Sequence, residues 1–561
     1  MLAPITVQEF KQMLQRCVPP GGWPSVIAVA NSGGPDSTCL IYLLHQLFST
    51  TGSQTRTKES LRYDQALSPG HLSESTSPRI LSLTINHDLQ ASSDKMATHC
   101  SNFAAKLGLD HITSKILWGQ PGFPPRPTES FERDARNARY DLLYKAMLSS
   151  GSNTLALGHH LDDQVETSLM RLGKGSTLLG ARGMRPIRRW GMSEVPKWDF
   201  GQRDLQGMRM WMIRPLLQVG KDRILATCEA NGLEYVTDKT NFQPDITIRN
   251  AIRHTLENNG DTSAVLEKRI KEQLHEIDEA LSKNHELGLN LSSGLERARG
   301  AVLRISSLSG SIHAKVDKLI EQSCRPSPPG TLLLSPSALQ SETIDLLARK
   351  ALVERVLRYV SPEPWGSLRA QSHSRSSQVD RIVNILWGPM NRNMAPFTAG
   401  SGVVWTPVNL DSSGDIKPRT GTGTDLYWLA HRQPPPVKNK GLHEDAKFSY
   451  SGQVDLTDLL ATSHRLWQKG DGAELLEVLW DRRFRIRLKL SAIPRRIIKA
   501  MEATDSRVVL CPQRKWHLPQ LSLQTQDSTS VLHTAIDDSQ DVAKEFDGWI
   551  SIDYVRTLAS V

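Results

Sequence analysis

Two carboxylates, Asp163 and Glu166, stand three residues apart in the run GHHLDDQVET at 158–167, just behind His159. If a helix starts near Leu161, both lie on one face of it. Opposite a phosphate, such a pair can hold a cation, either Mg2+ or an ammonium. His159, at the end of a short apolar strand, adds a proton carrier. A helix N-terminus that favours acidic residues accounts for Asp162 as a cap, but it accounts poorly for Glu166 one turn further in. The His159–His160 pair has no evident third ligand, so no zinc site is expected.

The phosphate has its own signature upstream. Val26–Ala30 reads as a buried strand, Cys39–Leu47 as an apolar helix, and Asn31-Ser32-Gly33-Gly34-Pro35-Asp36-Ser37 lies between them. Two glycines let the backbone turn tightly and approach a ligand. The unpaired N–H groups at the helix start, helped by its dipole, make an anion site. Ser32 and Ser37 can add hydroxyl donors. Asp36 repels a phosphate and is expected to hold Mg2+ or to orient the loop. The stretch matches neither GxxxxGK[ST] nor GxGxxG.

Arginines follow. Arg136 and Arg139 are three apart on a helix read over 128–148, and guanidinium suits bidentate phosphate recognition; a solvated basic face is the competing reading. Arg171–Ser176 forms a basic, glycine-rich loop, Ile213–Leu217 reads IRPLL, and Asp238–Arg253 carries Arg249, Asn250 and Arg253 into a helix.

These residues need a frame. Strands at 26–30, 80–86, 111–117, 154–158 and 234–236 alternate with helices at 94–107, 128–148, from 161 and at 221–231. The alternation predicts an α/β fold, a mostly parallel sheet with helices on both faces. In such sheets ligands sit at the carboxyl ends of the strands, where all these motifs fall. Residues 49–79 are polar and rich in Ser, Thr and Gln, and are expected to be a disordered insertion. Residues 184–210 read as a second excursion. A catalytic domain is expected over 1–258, a helical connector and linker over 259–330, and an α+β C-terminal region over 331–561 with Pro/Gly-rich loops at 388–440.

With 561 residues, the chain exceeds one compact core. Its net charge of +9 suits a nucleic-acid partner without demonstrating one. No apolar run is long enough to span a membrane. The six cysteines form no CxxC pair, which argues against a disulfide framework or an iron–sulfur site.

The loop SGGPDS resembles the pyrophosphate loop of N-type ATP pyrophosphatases. SGGPDS, ARxxRY, HHxxDxxET, the RxGxGS…GxxGM loop, IRPLL and DxTN…RNxIR occur in that order. Together, over residues 20–258, they resemble the tRNA(Ile)-lysidine synthetase family. The resemblance implies an adenine nucleotide alpha hydrolase-like fold. It also implies an ATP- and Mg2+-dependent ligation of free lysine to the wobble cytidine of a CAU-anticodon tRNA(Ile), through an adenylated C2 oxygen, releasing AMP and pyrophosphate. It assigns Ser32, Gly33, Gly34, Pro35, Asp36 and Ser37 to the pyrophosphate, with Asp36 on Mg2+. His159, Asp163 and Glu166 fall near the lysine, and His87, Arg136, Arg139, Arg249 and Asn250 near nucleotide or tRNA. A carboxylate pair attracts the lysine ammonium but raises its pKa, so a base must remove a proton; Asp163, Glu166 and His159 are the candidates. One departure stands out: the family's Asp-His-Gly-Leu-Arg is Asn86-His87-Asp88-Leu89-Gln90 here, which puts a nucleotide contact from this loop in doubt. The competing functions are another tRNA-modifying enzyme of the superfamily, such as a thiolase, and a tRNA-binding protein with a degenerate ATP site.

In the C-terminal region, Arg483, Arg485, Arg487 and Lys489 alternate with Phe484, Ile486, Leu488 and Leu490. As a strand this predicts one apolar face and one basic face, a candidate phosphate surface for tRNA. The polar insertion and the organellar or bacterial nature of the implied substrate point to mitochondria, with the cytoplasm as the alternative. Oligomeric state stays open, a homodimer included.

Overall fold

The computed structural model describes residues 2–51, 77–90, 92–126, 131–193, 201–237, 243–245, 247–258, 266–282, 289–335, 344–367, 376–388, 394–419, 426–434, 452–503, 505–513, 515–535 and 548–560. Most of the expected insertion at 49–79 lies outside these residues. The chain divides into two compact units, residues 1–189 with 209–309, and residues 190–208 with 310–560.

The first unit is built in chain order from α1 (Val7–Gln15), β1 (Val26–Ala30), α2 (Pro35–Thr51), β2 (Arg79–Asn86), α3 (Ser93–Lys106), β3 (Asp110–Lys115), α4 (Phe131–Ser149), β4 (Thr154–Ala156) and α5 (Leu161–Gly173). Then come α6 (Leu178–Ala181), β5 (Ile187–Arg189), α7 (Gln202–Arg209, all but its last residue in the second unit), β6 (Trp211–Ile213), α8 (Lys221–Ala230), α9 (Ile248–Glu257), α10 (Lys268–Ser282) and α11 (Leu295–Ser323, in the second unit from Gly310 on). The sheet order is β3-β2-β1-β4-β6-β5. All pairs are parallel except β5–β6. Strand side chains alternate between faces. Ile27, Val29 and Ile80 pack with α1, α2 and α8, whereas Ile85, five residues beyond Ile80, packs with Ala138 and Leu142 of α4. The sheet is therefore covered on both faces, as the alternating pattern predicts. Chain order reverses between β1 and β4, so the loops leaving those two strands border a ligand crevice.

Several expectations change. No strand forms at 234–236; the segment lies against the phosphate loop, where the Val236 N–H donates to the Gly33 carbonyl at 2.8 Å. The compact packing of the first unit runs on to Ser309, past the residue 258 at which the catalytic domain is expected to end. Ile270, Leu274, Ile277 and Leu281 of α10, with Ala298, Ala301 and Val302 of α11, share one core with Leu161, Val165 and Leu169 of α5 and Ile252 of α9. A Cβ on Gly173 would lie 2.5 Å from Ile277 Cγ1, so α5 and α10 meet at van der Waals limits.

In the second unit, Met192 and Met208 pack with Trp365. The stretch 388–440 is not simply loop. β7 (Cys324–Arg325), β8 (Leu332–Leu334) and β9 (Phe397–Thr398) share an antiparallel sheet with β10 (Val403–Leu410), β11 (Ile416–Pro418) and β12 (Tyr427–Arg432), and the fully buried Trp405 and Trp428 anchor it. β13 (Val454–Asp455), β16 (Arg507–Pro512), β17 (Pro519–Gln524) and β18 (Thr529–Thr534) form a second sheet, and β14 (Leu475–Trp480), β15 (Phe484–Lys489) and β19 (Ile550–Tyr554) a third, both antiparallel. Among the described residues, no helix is long and apolar enough to cross a membrane.

Candidate active site

The loop after β1 is held from beneath by a buried amide. Asn31 Oδ1 accepts from the Gly33 N–H at 3.0 Å, Asn31 Nδ2 donates to Ser82 Oγ at 3.1 Å, and the Asn31 carbonyl accepts from Thr84 Oγ1 at 2.9 Å. Gly33 has φ +75°, and a Cβ there would stand 3.1 Å from Cys100 Sγ, so this position calls for glycine. Ser37 Oγ accepts from the Ser32 N–H at 3.2 Å and lies 3.3 Å from Ser32 Oγ. α2 opens at Pro35, so the first-turn N–H groups of Asp36 and Ser37 have no acceptor within the helix, which is the arrangement an anion site needs.

Asp36 has a partner that sequence reasoning did not single out. Lys221 Nζ, at the first residue of α8, donates to Asp36 Oδ1 at 2.6 Å. His160 Nε2 lies 3.7 Å from the same oxygen. A lysine opening a helix directly after a glycine is the signal that could have found it. Gly158 explains how β4 comes so close: a Cβ there would stand 3.0 Å from the Asp36 backbone carbon and oxygen.

The N-terminus of α5 is capped differently from expectation. His160, not Asp162, is the N-cap: its Nδ1 accepts from the Asp162 N–H at 3.3 Å, and Asp163 Oδ2 accepts from the His160 N–H at 2.9 Å. Asp162 turns away to Arg299, a buried bidentate pair at 2.6 and 2.8 Å. Burial pushes the Asp163 carboxyl up, but the neighbouring His160 and His159 and the His160 N–H outweigh it and hold it below the ordinary carboxylate range. Glu166 is committed on one side. Its Oε1 accepts from Arg253 Nε and Nη2 at 2.9 and 2.6 Å, and Oε2 lies 3.8 Å from Arg249 without a hydrogen bond. Burial still dominates and pushes Glu166 up to about 7. His159 goes the other way. Burial, reinforced by Arg214, brings it down to about 3, and its buried Nδ1 has no hydrogen-bond partner.

Beside His159 lies a cluster of arginines. Arg214, directly after β6, is 4% exposed, and burial brings it down to about 9. Arg188 on β5 is likewise lowered by burial. Neither Nε has a hydrogen-bond partner. Arg136 stacks over the Tyr140 ring at 5.0 Å. Burial would raise the Tyr140 hydroxyl, but Arg136, Arg214, Arg139 and Arg188 together hold it below its ordinary value. Among the described residues no carboxylate pairs with Arg136, Arg188 or Arg214. Desolvated cations without counter-charge are costly unless an anion joins them.

Other predicted residues have structural duties. Asn250 Nδ2 donates to the Gln243 carbonyl at 2.8 Å, closing the turn into α9. Asp88, where the family resemblance leads one to expect glycine, adopts φ +50°, and its N–H donates to Asn86 Oδ1 at 2.9 Å. Aspartate tolerates that left-handed conformation better than most side chains. The backbone of the altered loop therefore keeps a glycine-like turn, and the His87 carbonyl accepts from Trp118 Nε1 at 2.8 Å.

The C-terminal basic strand reads differently in three dimensions. Arg483 precedes β15 and is fully buried, donating to Asp481 at 2.6 Å and to the His517 carbonyl at 2.9 Å. It is removed from the predicted phosphate surface. Arg485 and Arg487 both reach Asp553 of β19, at 3.1 and 2.9 Å, and Lys489 lies 3.7 Å from Glu474. Acids on the neighbouring strands thus compensate the basic face.

A doubly covered, mostly parallel sheet with a glycine-rich loop at its switch point defines a doubly wound α/β domain with a candidate anion site. Residues 4–259 match the family model described as the PP-loop domain. Curated relatives include a tRNA(Ile)-lysidine synthase of Bradyrhizobium sp. BTAi1, 30% identical over 44% of this chain and 54% of that protein. Another, of the same name, is from Persephonella marina, 33% identical over 41% of this chain and 40% of that protein. The chain thus spans about half the length of the curated relatives it matches. A solved U34-tRNA thiolase from Methanococcus maripaludis covers 55% of this chain and 79% of its own at 14% identity and TM-score 0.32, a likeness too loose to argue from.

Proposed function

We propose that the protein ligates free lysine to the wobble cytidine of a CAU-anticodon tRNA(Ile), at the expense of ATP. The observation that supports this reading most is that an anion loop and a desolvated acid–base group follow two adjacent parallel strands, β1 and β4. Ser32–Ser37 leave β1, with Lys221 on Asp36, and His159 and Glu166 follow β4, with His160 3.7 Å from the same Asp36.

In this reading the α2 N-terminus, Ser32, Ser37 and Lys221 bind the departing pyrophosphate. Among the described residues no cluster of three or more His, Cys, Asp or Glu could cage a metal. A Mg2+ here would be held by Asp36 and the phosphates themselves, neutralising phosphate charge. The cytidine C2 oxygen attacks the α-phosphorus, and the bond to the β-phosphate breaks. The lysine amine then attacks C2, the C–O bond breaks, and AMP leaves with that oxygen. Arg214, Arg188 and Arg136 offset the anionic charge on the adenylate. The nucleophile must first lose a proton. Of the three candidates, Asp163 is too acidic and His159 too weakly basic, while Glu166 near 7 matches the task. We assign Glu166 as the base and His159 as a neutral positioning group. An organellar location remains part of the proposal, to be checked by cell fractionation.

The test is release of AMP and pyrophosphate with a CAU-anticodon tRNA(Ile) and lysine, with each omitted in turn. AMP formed in step with labelled lysine entering tRNA supports the ligase. AMP without lysine incorporation points to a different nucleophile, and salt-sensitive tRNA binding without turnover points to a binding protein.

A further inference from the structure

A buried guanidinium shared by three carboxylates lies in the first unit beyond residues 4–259. Arg299 on α11 is 8% exposed. It grips Asp162 with Nε and Nη2, while Nη1 donates to Asp222 at 3.2 Å and to Glu296 at 2.5 Å. Asp162 belongs to the first turn of α5, and Asp222 to the first turn of α8. Those two turns are also joined by backbone: the Leu161 N–H donates to the Val219 carbonyl at 2.8 Å, and the Lys221 N–H to Asp162 Oδ2 at 3.3 Å.

Each of these turns delivers a side chain to the phosphate loop. α5 brings His160, and α8 brings Lys221, both to Asp36. The space between them is shaped around the guanidinium. A Cβ on Gly220 would stand 2.8 Å from Arg299 Cζ and 2.4 Å from Asp222 Oδ1, although the Gly220 backbone, at φ −69° and ψ 153°, suits any residue. Glycine is needed here for the arginine, not for the turn.

We infer that Arg299 is a positioning residue for nucleotide binding: it clamps the starts of α5 and α8 so that Lys221 is set on Asp36 at the phosphate loop. The inference rests on the ATP use proposed above. It makes α11 part of the nucleotide site without touching the nucleotide, because a guanidinium shared by three carboxylates fixes angles that a single ion pair leaves free.

The test compares Arg299→Gln, Arg299→Lys and Gly220→Ala with Lys221→Met, in the full chain. Equilibrium binding of MgATP is measured together with thermal unfolding and amide exchange of the Lys221 turn in the ligand-free protein. Arg299→Gln is expected to weaken MgATP binding about tenfold, as loss of an outer-shell partner does. Arg299→Lys should fall between it and the parent protein. Gly220→Ala should weaken binding while keeping the arginine, and it stands in if Arg299→Gln fails to fold. The double variant Arg299→Gln/Lys221→Met should bind no worse than Lys221→Met alone, because the clamp acts through Lys221. Additive losses, or folded Arg299→Gln and Gly220→Ala proteins that bind MgATP like the parent, would overturn the inference. If the parent binds no MgATP, the ligase reading fails, and unchanged exchange at the Lys221 turn in Arg299→Gln would separately overturn the clamp.

Discussion

Two arginine-rich regions, one in each unit, look alike as text and differ in charge balance. On β15, Arg485, Arg487 and Lys489 each meet an acid from β14, β19 or the turn before β14: Glu477, Asp553 or Glu474. Beside His159, Arg136, Arg188 and Arg214 meet none among the described residues, and two of them are buried deeply enough for their pKa values to fall. The first region is a folded surface in electrostatic balance. The second holds positive charge at a desolvation cost, and such cost persists where a ligand anion offsets it. The number of arginines does not separate the two; the position of the nearest carboxylate does.

The comparison can be broken most decisively at Arg214. Arg214→Met should lower AMP formation by roughly 10²–10³-fold, the usual loss when one buried donor to a developing charge is removed. Near-parent turnover would remove the contrast. Next is Gly33→Ala, which forces a Cβ towards Cys100 Sγ at φ +75°. A misplaced phosphate loop should cut pyrophosphate release about 10²-fold. Glu166→Gln tests the base. With its carboxyl near 7, parent turnover should rise as pH passes through 7, because only the ionised form accepts a proton. The variant should be slower and flat across that range. The stability counterpart has the opposite sense: a raised carboxyl favours its neutral form, so its contribution is full below the ordinary 4.5 and is lost as pH rises through about 7. Smallest is the C-terminal strand. The double variant Arg485→Ser/Arg487→Ser should change tRNA affinity by less than about threefold, as compensated surface pairs contribute little. Asp553→Asn, which removes the acid partner of Arg487 and leaves Arg485 only Glu477, should strengthen tRNA binding and steepen its salt dependence.

Much of the first unit was legible because its signals are local. An apolar run, a Gly-Gly turn and an apolar helix specify β1, the loop and α2 within about 25 residues, and the observed bounds of β1 match the expected ones. What misled was also local reasoning. Glu234–Val236 has strand-forming residues but meets the phosphate loop, through Val236 and Gly33, rather than a sheet edge. Asp162 sits where a cap belongs, yet His160 takes the cap and Asp162 serves Arg299, 137 residues away. The stretch 388–440 reads as loops because prolines and glycines flank the strands of its sheet.

The chemistry available and its order are already written in the residues: a phosphate loop after the first strand, then an acid–base group after a later one. Strand, turn and helix signals act over short distances, so composition and spacing carry them. Which charges remain unmatched is settled by packing between distant segments. Lys221 on Asp36, Arg253 on Glu166, Arg299 on Asp162 and Asp553 on Arg485 and Arg487 join residues 66 to 185 positions apart. A charge becomes a ligand site or a structural strut according to its neighbour in space, and that neighbour is set by packing.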